Sequence, residues 1–256
     1  MKKLIALLLA LVMILALAAC GAETTEPTEP ATEPTEATEE ATEPTEEATE
    51  PAEEVTVMTY EEFMAAELEA KVTIETYVQA TQSWWDNKIT VYAQGPDGAY
   101  FMYEMACTEE DAAKLVPGTK IRVTGDKAEW DGEVEIMNAT FEFVEGDAFV
   151  AEATDATAMT AEELQANMNK LVSFTGLTVE KIEYKNGEPG DDIYLTLKLG
   201  ETSYSFCVER YLTGPDTEVY KTVGELVAGD VVDVTGFLYW YNGANTHITA
   251  IAKAAA

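Results

Sequence analysis

The sequence is poor in the residues on which many enzymes and metal sites depend. It has one histidine, His247, and three cysteines among 256 residues. The patterns Gly-x-Ser-x-Gly, Ser-x-x-Lys and His-Glu-x-x-His do not occur in it. Zinc would need Cys and His ligands that the chain lacks, and hydrolysis would lack its usual base. We therefore expect a protein that is not an enzyme and that uses no cofactor and no metal. Calcium is the open alternative, since Asp191 with Asp192, or Glu129 with Asp131 and Glu133, could supply carboxylate ligands, but no EF-hand loop occurs.

Positive charge is also scarce. Lys and Arg together number 15 against 48 Asp and Glu, which gives a net charge of −33. Residues 1–19 carry +2 and residues 20–54 carry −13, which leaves −22 for residues 55–256. Proteins that bind nucleic acid normally present a basic surface to the phosphate backbone. From charge alone, we do not expect nucleic acid to be a partner.

One long hydrophobic run occurs, at residues 4–19, directly after Lys2 and Lys3. Sixteen helical residues span about 24 Å, which is less than the ~30 Å hydrocarbon core of a bilayer. The run ends in Leu-Ala-Ala-Cys at residues 17–20, which resembles the lipobox of bacterial lipoproteins. The resemblance implies a signal peptide over 1–19, a lipid such as palmitate on Cys20, and anchoring at the extracellular face of the cell membrane. The alternative is an ordinary secretory signal with a chance cysteine.

Residues 20–54 have the composition of a spacer. From residue 22 onward this segment contains thirteen glutamates, no Lys or Arg and no aromatic residue, and Thr-Glu-Pro recurs five times. Such a segment buries too little apolar surface to offset its ordering entropy, so we predict a disordered linker. Its prolines and like charges favour an extended chain.

The remaining 200 residues contain an internal repeat. The segment Met-Thr-Tyr-Glu-Glu at 58–62 returns as Met-Thr-Ala-Glu-Glu at 159–163. Residues 116–125, which end in Val-Thr-Gly, return as residues 227–236 with the same ending. The repeat predicts two domains of about 100 residues, 55–152 and 153–256.

Each copy predicts the same order of elements. A short helix comes first, because Thr59 with Glu62 and Thr160 with Glu163 form the pattern of a capping box. Three alternating strands, a helical insertion and two more strands follow, which is the order of a five-stranded Greek-key barrel. Residues 117–125 and their copy resemble the fourth strand of bacterial OB-fold domains. The predicted fold is all-β with short helices, as two tandem OB-fold-like barrels after the linker.

The placement of aromatic residues suggests a ligand site. In OB folds, ligands lie across strands two and three, between the loops that join strands one to two and four to five. Rings near these loops could stack on a flat ligand while neighbouring polar groups bind its rim. The candidate ligand-binding residues are Trp84, Trp85, Tyr92, Trp130, Tyr184, Tyr239, Trp240 and Tyr241. The alternative is that the rings seal the ends of the barrels and bind nothing.

The histidine and the two remaining cysteines have structural interpretations. His247 lies in the last predicted strand of the second copy, where the first copy has Ile136. A histidine that exchanges with isoleucine favours a packing role over catalysis. Cys107 and Cys207 lie in different copies, so we expect two buried free thiols rather than a disulfide.

These observations predict a membrane-anchored extracellular lipoprotein, present as a monomer, that acts as a non-catalytic binding or adaptor protein. Its ligand would be a glycan, a peptide or a partner protein, since sugars stack on aromatic rings without positive charge. The alternative is a lipoprotein that binds single-stranded nucleic acid or assists a secreted nuclease, which the OB-fold resemblance implies. No motif gives positive support to an enzyme.

The lipobox makes a testable prediction. The Cys20→Ala chain should not incorporate labelled palmitate and should remain a precursor or leave the membrane, because stable attachment needs the lipid chains on that cysteine. Radiolabelling and cell fractionation of the wild-type and variant proteins measure both effects. A Cys20→Ala protein that is processed, labelled and retained like the wild type would contradict the anchor.

Overall fold

The structure is a computed structural model that describes residues 56–254. The predicted signal peptide, Cys20 and the predicted linker therefore lie outside the described residues. The first copy contains α1 (Tyr60–Ala65), β1 (Lys71–Thr81), β2 (Lys88–Gln94), β3 (Ala99–Ala106), α2 (Glu109–Ala112), β4 (Lys120–Trp130) and β5 (Glu133–Phe143). The second copy contains β6 (Thr154–Asp155), α3 (Ala161–Ala166), β7 (Leu171–Tyr184), β8 (Ile193–Leu199), β9 (Thr202–Val208), α4 (Glu218–Gly224), β10 (Val231–Phe237) and β11 (His247–Lys253).

Both predicted capping boxes are present. Thr59 Oγ1 accepts a hydrogen bond from Glu62 N at 3.2 Å, and Thr59 N donates to Glu62 Oε2 at 2.8 Å. Thr160 and Glu163 repeat both bonds at the same distances. These bonds satisfy backbone donors that the first turn of a helix leaves free. Among the described residues, no helix is long and apolar enough to cross a bilayer.

The first copy is a closed barrel with the strand order β1-β2-β3-β5-β4. β4 pairs antiparallel with β1 to close the barrel, and β3 meets β5 in parallel at Met102 and Ile136. In the second copy, β7-β8-β9-β11-β10 follow the same order, and the pairing of β10 with β7 closes it. β6 adds a short parallel strand beside β7. The predicted all-β class with two OB-fold-like Greek-key barrels is confirmed.

The repeated Val-Thr-Gly marks the place where each barrel bends. The register shifts next to Gly125 in the β4–β5 pair and next to Gly236 in the β10–β11 pair. A Cβ on Gly125 would lie 2.6 Å from Ile136 Cγ2, and one on Gly236 would overlap the backbone oxygen of His247. Both positions therefore need glycine because another strand passes too close for a side chain.

Strand β2 is buried on both faces, which is unusual for the wall of a barrel. Ile89, Val91 and Ala93 point into the core of the first barrel. The alternate residues Thr90, Tyr92 and Gln94 are also buried. The second barrel covers two of them, since Tyr92 stacks on Phe237 and Gln94 Oε1 accepts from Leu171 N at 2.8 Å. Part of the outer face of the first barrel is thus an interface with the second.

Three buried aromatic side chains fill this interface. They are Tyr92 from β2, Phe101 from β3 and Phe237 from β10, and Tyr239 packs against them. The rings of Tyr92 and Phe237 stack with their centroids 4.7 Å apart, and Phe101 meets Tyr92 at 5.1 Å. We call these four residues the interface cluster. Aromatic pairs of this kind stabilise a contact by about 0.5–1.5 kcal/mol beyond their buried area.

A buried hydrogen bond joins the two barrels beside the interface cluster. Tyr92 Oη lies 2.6 Å from His247 Nδ1, and Gln82 Nε2 donates to the same hydroxyl at 3.1 Å. The hydroxyl hydrogen is therefore free to bond Nδ1. Burial lowers the pKa of His247 to about 4, so the ring is neutral near pH 7. The neutral ring then carries its hydrogen on Nε2.

A second contact between the barrels lies at the turn between β4 and β5. Asn242 N donates to Asp131 O at 2.9 Å, and Trp240 N donates to Glu133 Oε2 at 2.7 Å. Glu133 is fully buried, and its Oε1 has no hydrogen-bond partner among the described residues. Burial, together with the smaller effect of nearby Glu135, raises the pKa of Glu133 to about 8. The carboxyl group is therefore largely protonated at neutral pH.

This buried acid predicts a pH-dependent stability. An unfolded glutamate ionises near pH 4.5, whereas folded Glu133 keeps its proton until about pH 8. The stabilisation of the folded state that results from the raised pKa of Glu133 is therefore lost as the pH rises between these values. Glu133→Gln keeps an acceptor for Trp240 N but cannot ionise. The free energy of unfolding of the variant minus that of the wild type should therefore increase, on the order of a few kcal/mol, from pH 5 to pH 8.

Urea titrations at the two pH values measure this gain. Glu225→Gln is the control, because Glu225 is exposed and the change removes the same charge. Equal pH dependence of the wild-type and Glu133→Gln proteins would contradict the buried, protonated state.

Candidate ligand-binding cleft between the barrels

A cleft of about 1050 Å³ opens where the two barrels meet. We call it the inter-barrel cleft. Both barrels contribute residues to it: Gln82, Ser83, Trp85, Asp86, Lys88, Ile89, Thr90, Phe101, Tyr103 and Glu104 from the first, and Asp192, Tyr194, Ser205, Cys207, Glu209, Arg210, Tyr211, Tyr239, Tyr241, Asn245 and His247 from the second. Its volume lies at the upper end of the range for small-molecule sites.

The cleft combines loops that a single OB fold would use together. The first barrel supplies the β1–β2 loop with Trp85, and the second supplies the β10–β11 loop with Tyr241. Ser83 N donates to Tyr211 O at 2.8 Å, which fixes one edge of the cleft across the interface. These are the two loop types that flank the ligand in OB folds, here taken from two different barrels.

Two residues of the interface cluster, Phe101 and Tyr239, form the cleft floor together with His247. The ring of Tyr239 stacks on that of His247 with centroids 4.4 Å apart, and it meets Phe101 edge-on at 5.2 Å. His247 is 8% exposed. Within the described residues, its one side-chain hydrogen bond joins Nδ1 to Tyr92, so the Nε2 hydrogen has no protein acceptor. The floor therefore offers one hydrogen-bond donor to a ligand.

The charged groups of the cleft are mostly acidic. Lys88 Nζ lies 2.8 Å from Glu104 Oε2, so these two charges compensate each other. Asp192 Oδ1 accepts from Arg210 N at 3.0 Å. Burial, together with the smaller effect of the neighbouring Asp192 carboxylate, raises the pKa of Glu209 to about 7. Glu209 is thus close to half ionised at neutral pH.

Three of the predicted site residues line the cleft: Trp85, Tyr239 and Tyr241. Trp85 is 78% exposed and Tyr241 is 51% exposed, so both rings are available to a ligand. Trp130 is also exposed, at 61%, but it is not among the residues that line the cleft. The structure therefore separates Trp130 from the site that sequence reasoning assigned to it.

The other four predicted rings pack against protein. Tyr92 is buried in the interface cluster, because the second barrel covers that part of β2. Trp84 packs against the core of the first barrel, and its Nε1 donates to Cys107 O at 2.9 Å. Tyr184 and Trp240 pack against the core of the second barrel. These four rings therefore have packing roles, which was the alternative to ligand binding.

Sequence reasoning missed the residues of β9 and of the turn after it. Glu209 directly follows that strand, and its Oε2 accepts from Tyr211 N at 2.8 Å and from Leu212 N at 2.9 Å. This turn places Arg210 and Tyr211 at the cleft. The exposed pair Arg-Tyr directly after a strand was the available signal, but nothing in the sequence says that the other barrel faces it.

The two cysteines are free and buried, as predicted. Burial raises the pKa of both thiols, to about 11 for Cys107 and well above the usual value for Cys207. Both therefore stay protonated at neutral pH. Within residues 56–254, no group of three His, Cys, Asp or Glu side chains is placed to hold a metal ion.

No protein-family model and no curated protein matches the chain. Among solved structures, it is similar to a murine DNA-binding protein bound with double-stranded DNA, at 13% identity and a TM-score of 0.36, over 72% of this chain and 97% of that one. It is also similar to p202 HIN1 in complex with a 12-mer of double-stranded DNA, at 12% identity and a TM-score of 0.33, over 80% of this chain and 100% of that one.

A third similar structure is a deletion mutant of the single-stranded DNA-binding protein from Thermus aquaticus, at 15% identity and a TM-score of 0.27. The match covers 73% of this chain and 94% of that one.

These findings contradict the expectation, drawn from net charge, that nucleic acid is not a partner. Net charge alone was not a sufficient reason to exclude nucleic acid. Net charge sums the whole surface, whereas binding depends on the local patch, and bases can stack on aromatic rings. The likeness itself concerns the fold: this chain carries two tandem OB-fold-like barrels.

Proposed function

We propose that this chain is a lipid-anchored extracellular binding protein that holds its ligand in the inter-barrel cleft. The observation that carries the proposal is the cleft itself, which gathers seven aromatic rings and several polar groups from both barrels. Concave sites with this mixture are the usual places for ligands. The anchor rests on the lipobox at residues 17–20.

A non-catalytic role is supported by the protonation states of the cleft's histidine and cysteine, whereas Glu209, with a pKa of about 7, is the cleft carboxyl group that titrates near neutrality. His247 is neutral with a pKa of about 4, and its Nδ1 is bonded to Tyr92. Burial keeps the Cys207 thiol protonated. Neither group has the pKa near the working pH that general acid–base or thiolate catalysis requires. Ligands of the glycan, peptide or protein class fit the cleft, since its exposed rings can stack on sugar faces or on apolar side chains.

Single-stranded nucleic acid is a second candidate ligand. Trp85, Tyr211 and Tyr241 are large exposed rings that line the same cleft, and successive bases stack on rings of this kind. Arg210 lies among them and contacts the Tyr211 ring, with its guanidinium carbon 5.4 Å from the ring centroid. Binding of this type should weaken as salt rises.

Array screening and variants of the exposed rings test the proposal. The lipid-free Cys20→Ala protein is screened on glycan, peptide and oligonucleotide arrays, and each hit is measured with Trp85→Ala and Tyr241→Ala. Each change should weaken binding by about 1–3 kcal/mol, as removal of a stacking ring does. The urea midpoints should stay near wild type, because both rings are exposed.

Trp130→Ala is the matched control, since it removes an exposed tryptophan outside the cleft. It should leave binding unchanged. If the three variants bind every hit as the wild type does, the ligand does not lie in the cleft. If the arrays yield no hit that depends on Trp85 or Tyr241, the proposed function fails.

A further inference from the structure

Glu209 lies in the inter-barrel cleft and has no positively charged partner within 4.0 Å among the described residues. Glu209 Oε2 accepts from two backbone N–H groups of its own turn. Its Oε1 makes no hydrogen bond among the described residues, and none of the ion pairs of these residues includes Glu209. The other anions near it are better satisfied: Asp192 Oδ2 lies 2.8 Å from Lys185 Nζ. Glu209 therefore has an acceptor oxygen available at the cleft.

Aromatic rings share the cleft with this free carboxyl oxygen. Tyr194, Tyr239 and Tyr241 lie on the same barrel as Glu209, and Trp85 faces them from the first barrel. The faces of such rings attract cations, most strongly for tryptophan. The cleft already holds one interaction of this kind, between Arg210 and the Tyr211 ring. Rings together with an unpaired carboxylate are a suitable environment for a positively charged group.

Two further polar atoms in the cleft lack partners. Asn245 Oδ1 is buried and accepts no hydrogen bond among the described residues, so a ligand with N–H groups could satisfy it. His247, which is more than nine-tenths buried, offers its Nε2 hydrogen to a ligand oxygen. A buried acceptor normally has a partner, so the free state of Asn245 Oδ1 is an independent sign of a ligand position.

We propose that the inter-barrel cleft binds a ligand through an ammonium group, which lies against Glu209 and the aromatic rings. This inference rests on the proposed function and names the chemistry that the cleft selects. The charge of −22 on residues 55–256 adds to it, because an acidic protein concentrates cations at its surface.

Calorimetry with two matched peptides tests the inference on the mature full chain. The probes are tetralysine with its α-amino group acetylated and the same peptide with its four side chains acetylated as well, so that only the first peptide carries ammonium groups. Tetralysine should bind at least about tenfold more tightly, equivalent to about 1.4 kcal/mol. Glu209→Gln should remove most of this preference, while its amide oxygen can still accept from Tyr211 N and Leu212 N.

Glu188→Gln is the control, because Glu188 is exposed, lies outside the cleft and loses the same charge. It should change the affinity for tetralysine by less than about twofold, as expected for a screened surface charge. Trp85→Ala is a second cleft variant that leaves the Glu209 turn intact, and it should also weaken tetralysine binding.

The pH dependence gives a further readout. The titratable and charged groups that face Glu209 are Asp192, Lys185, Cys207 and Tyr92, and Arg210 and His247 line the same cleft. Because the pKa of Glu209 is about 7, its carboxylate forms as the pH rises through neutrality. Wild-type affinity for tetralysine should therefore increase between about pH 6 and pH 8, and Glu209→Gln should show no such increase.

Two results would overturn the inference. One is equal affinity for the two peptides, or no binding of either. The other is an equal effect of Glu209→Gln and Glu188→Gln, which would assign the attraction to net charge alone. If a neutral glycan or an oligonucleotide then binds in a manner that depends on Trp85, the proposed function stands and only the ammonium inference fails.

Discussion

The contact between Tyr92 and His247 is the constraint on which the rest of the molecule depends. It joins β2 of the first barrel to β11 of the second through a 2.6 Å hydrogen bond, beside the stacked rings of Tyr92 and Phe237. A hydrogen bond shielded from water is costly to break, because both partners would be left unsatisfied. This contact fixes the distance between the barrels and therefore the width of the inter-barrel cleft.

Covering one face of the first barrel also changes how the OB-fold architecture can be used. Tyr92 sits where a single barrel would expose a ligand-binding residue, and here it binds the second barrel instead. The part of that face near Tyr103 becomes one wall of a cleft shared by both barrels. A ligand would therefore contact both barrels, because Trp85 comes from the first barrel and Glu209 and Tyr241 come from the second.

Much of the fold could be predicted from the sequence, because its signals are local. The capping boxes at Thr59 and Thr160 and the repeated glycines Gly125 and Gly236 act within one turn or one strand pair. The candidate site could be predicted only in part. Alternation shows which side of a strand is apolar, but it cannot show that another barrel covers Tyr92 or that Glu209 faces Trp85. The one hint was His247, a polar residue at the position that Ile136 occupies in the first core.

Because His247 is the chain's single histidine, NMR of its imidazole measures the interface directly. A long-range ¹H–¹⁵N correlation spectrum recorded during a pH titration gives both the tautomer and the pKa. The account predicts a neutral ring with its hydrogen on Nε2 and a pKa of about 4. A hydrogen on Nδ1 would reverse the direction of the hydrogen bond to Tyr92 Oη without breaking it. A pKa near the ordinary value of 6.5 would instead mean that His247 is not buried between the barrels, and it would contradict the joined barrels and the cleft between them.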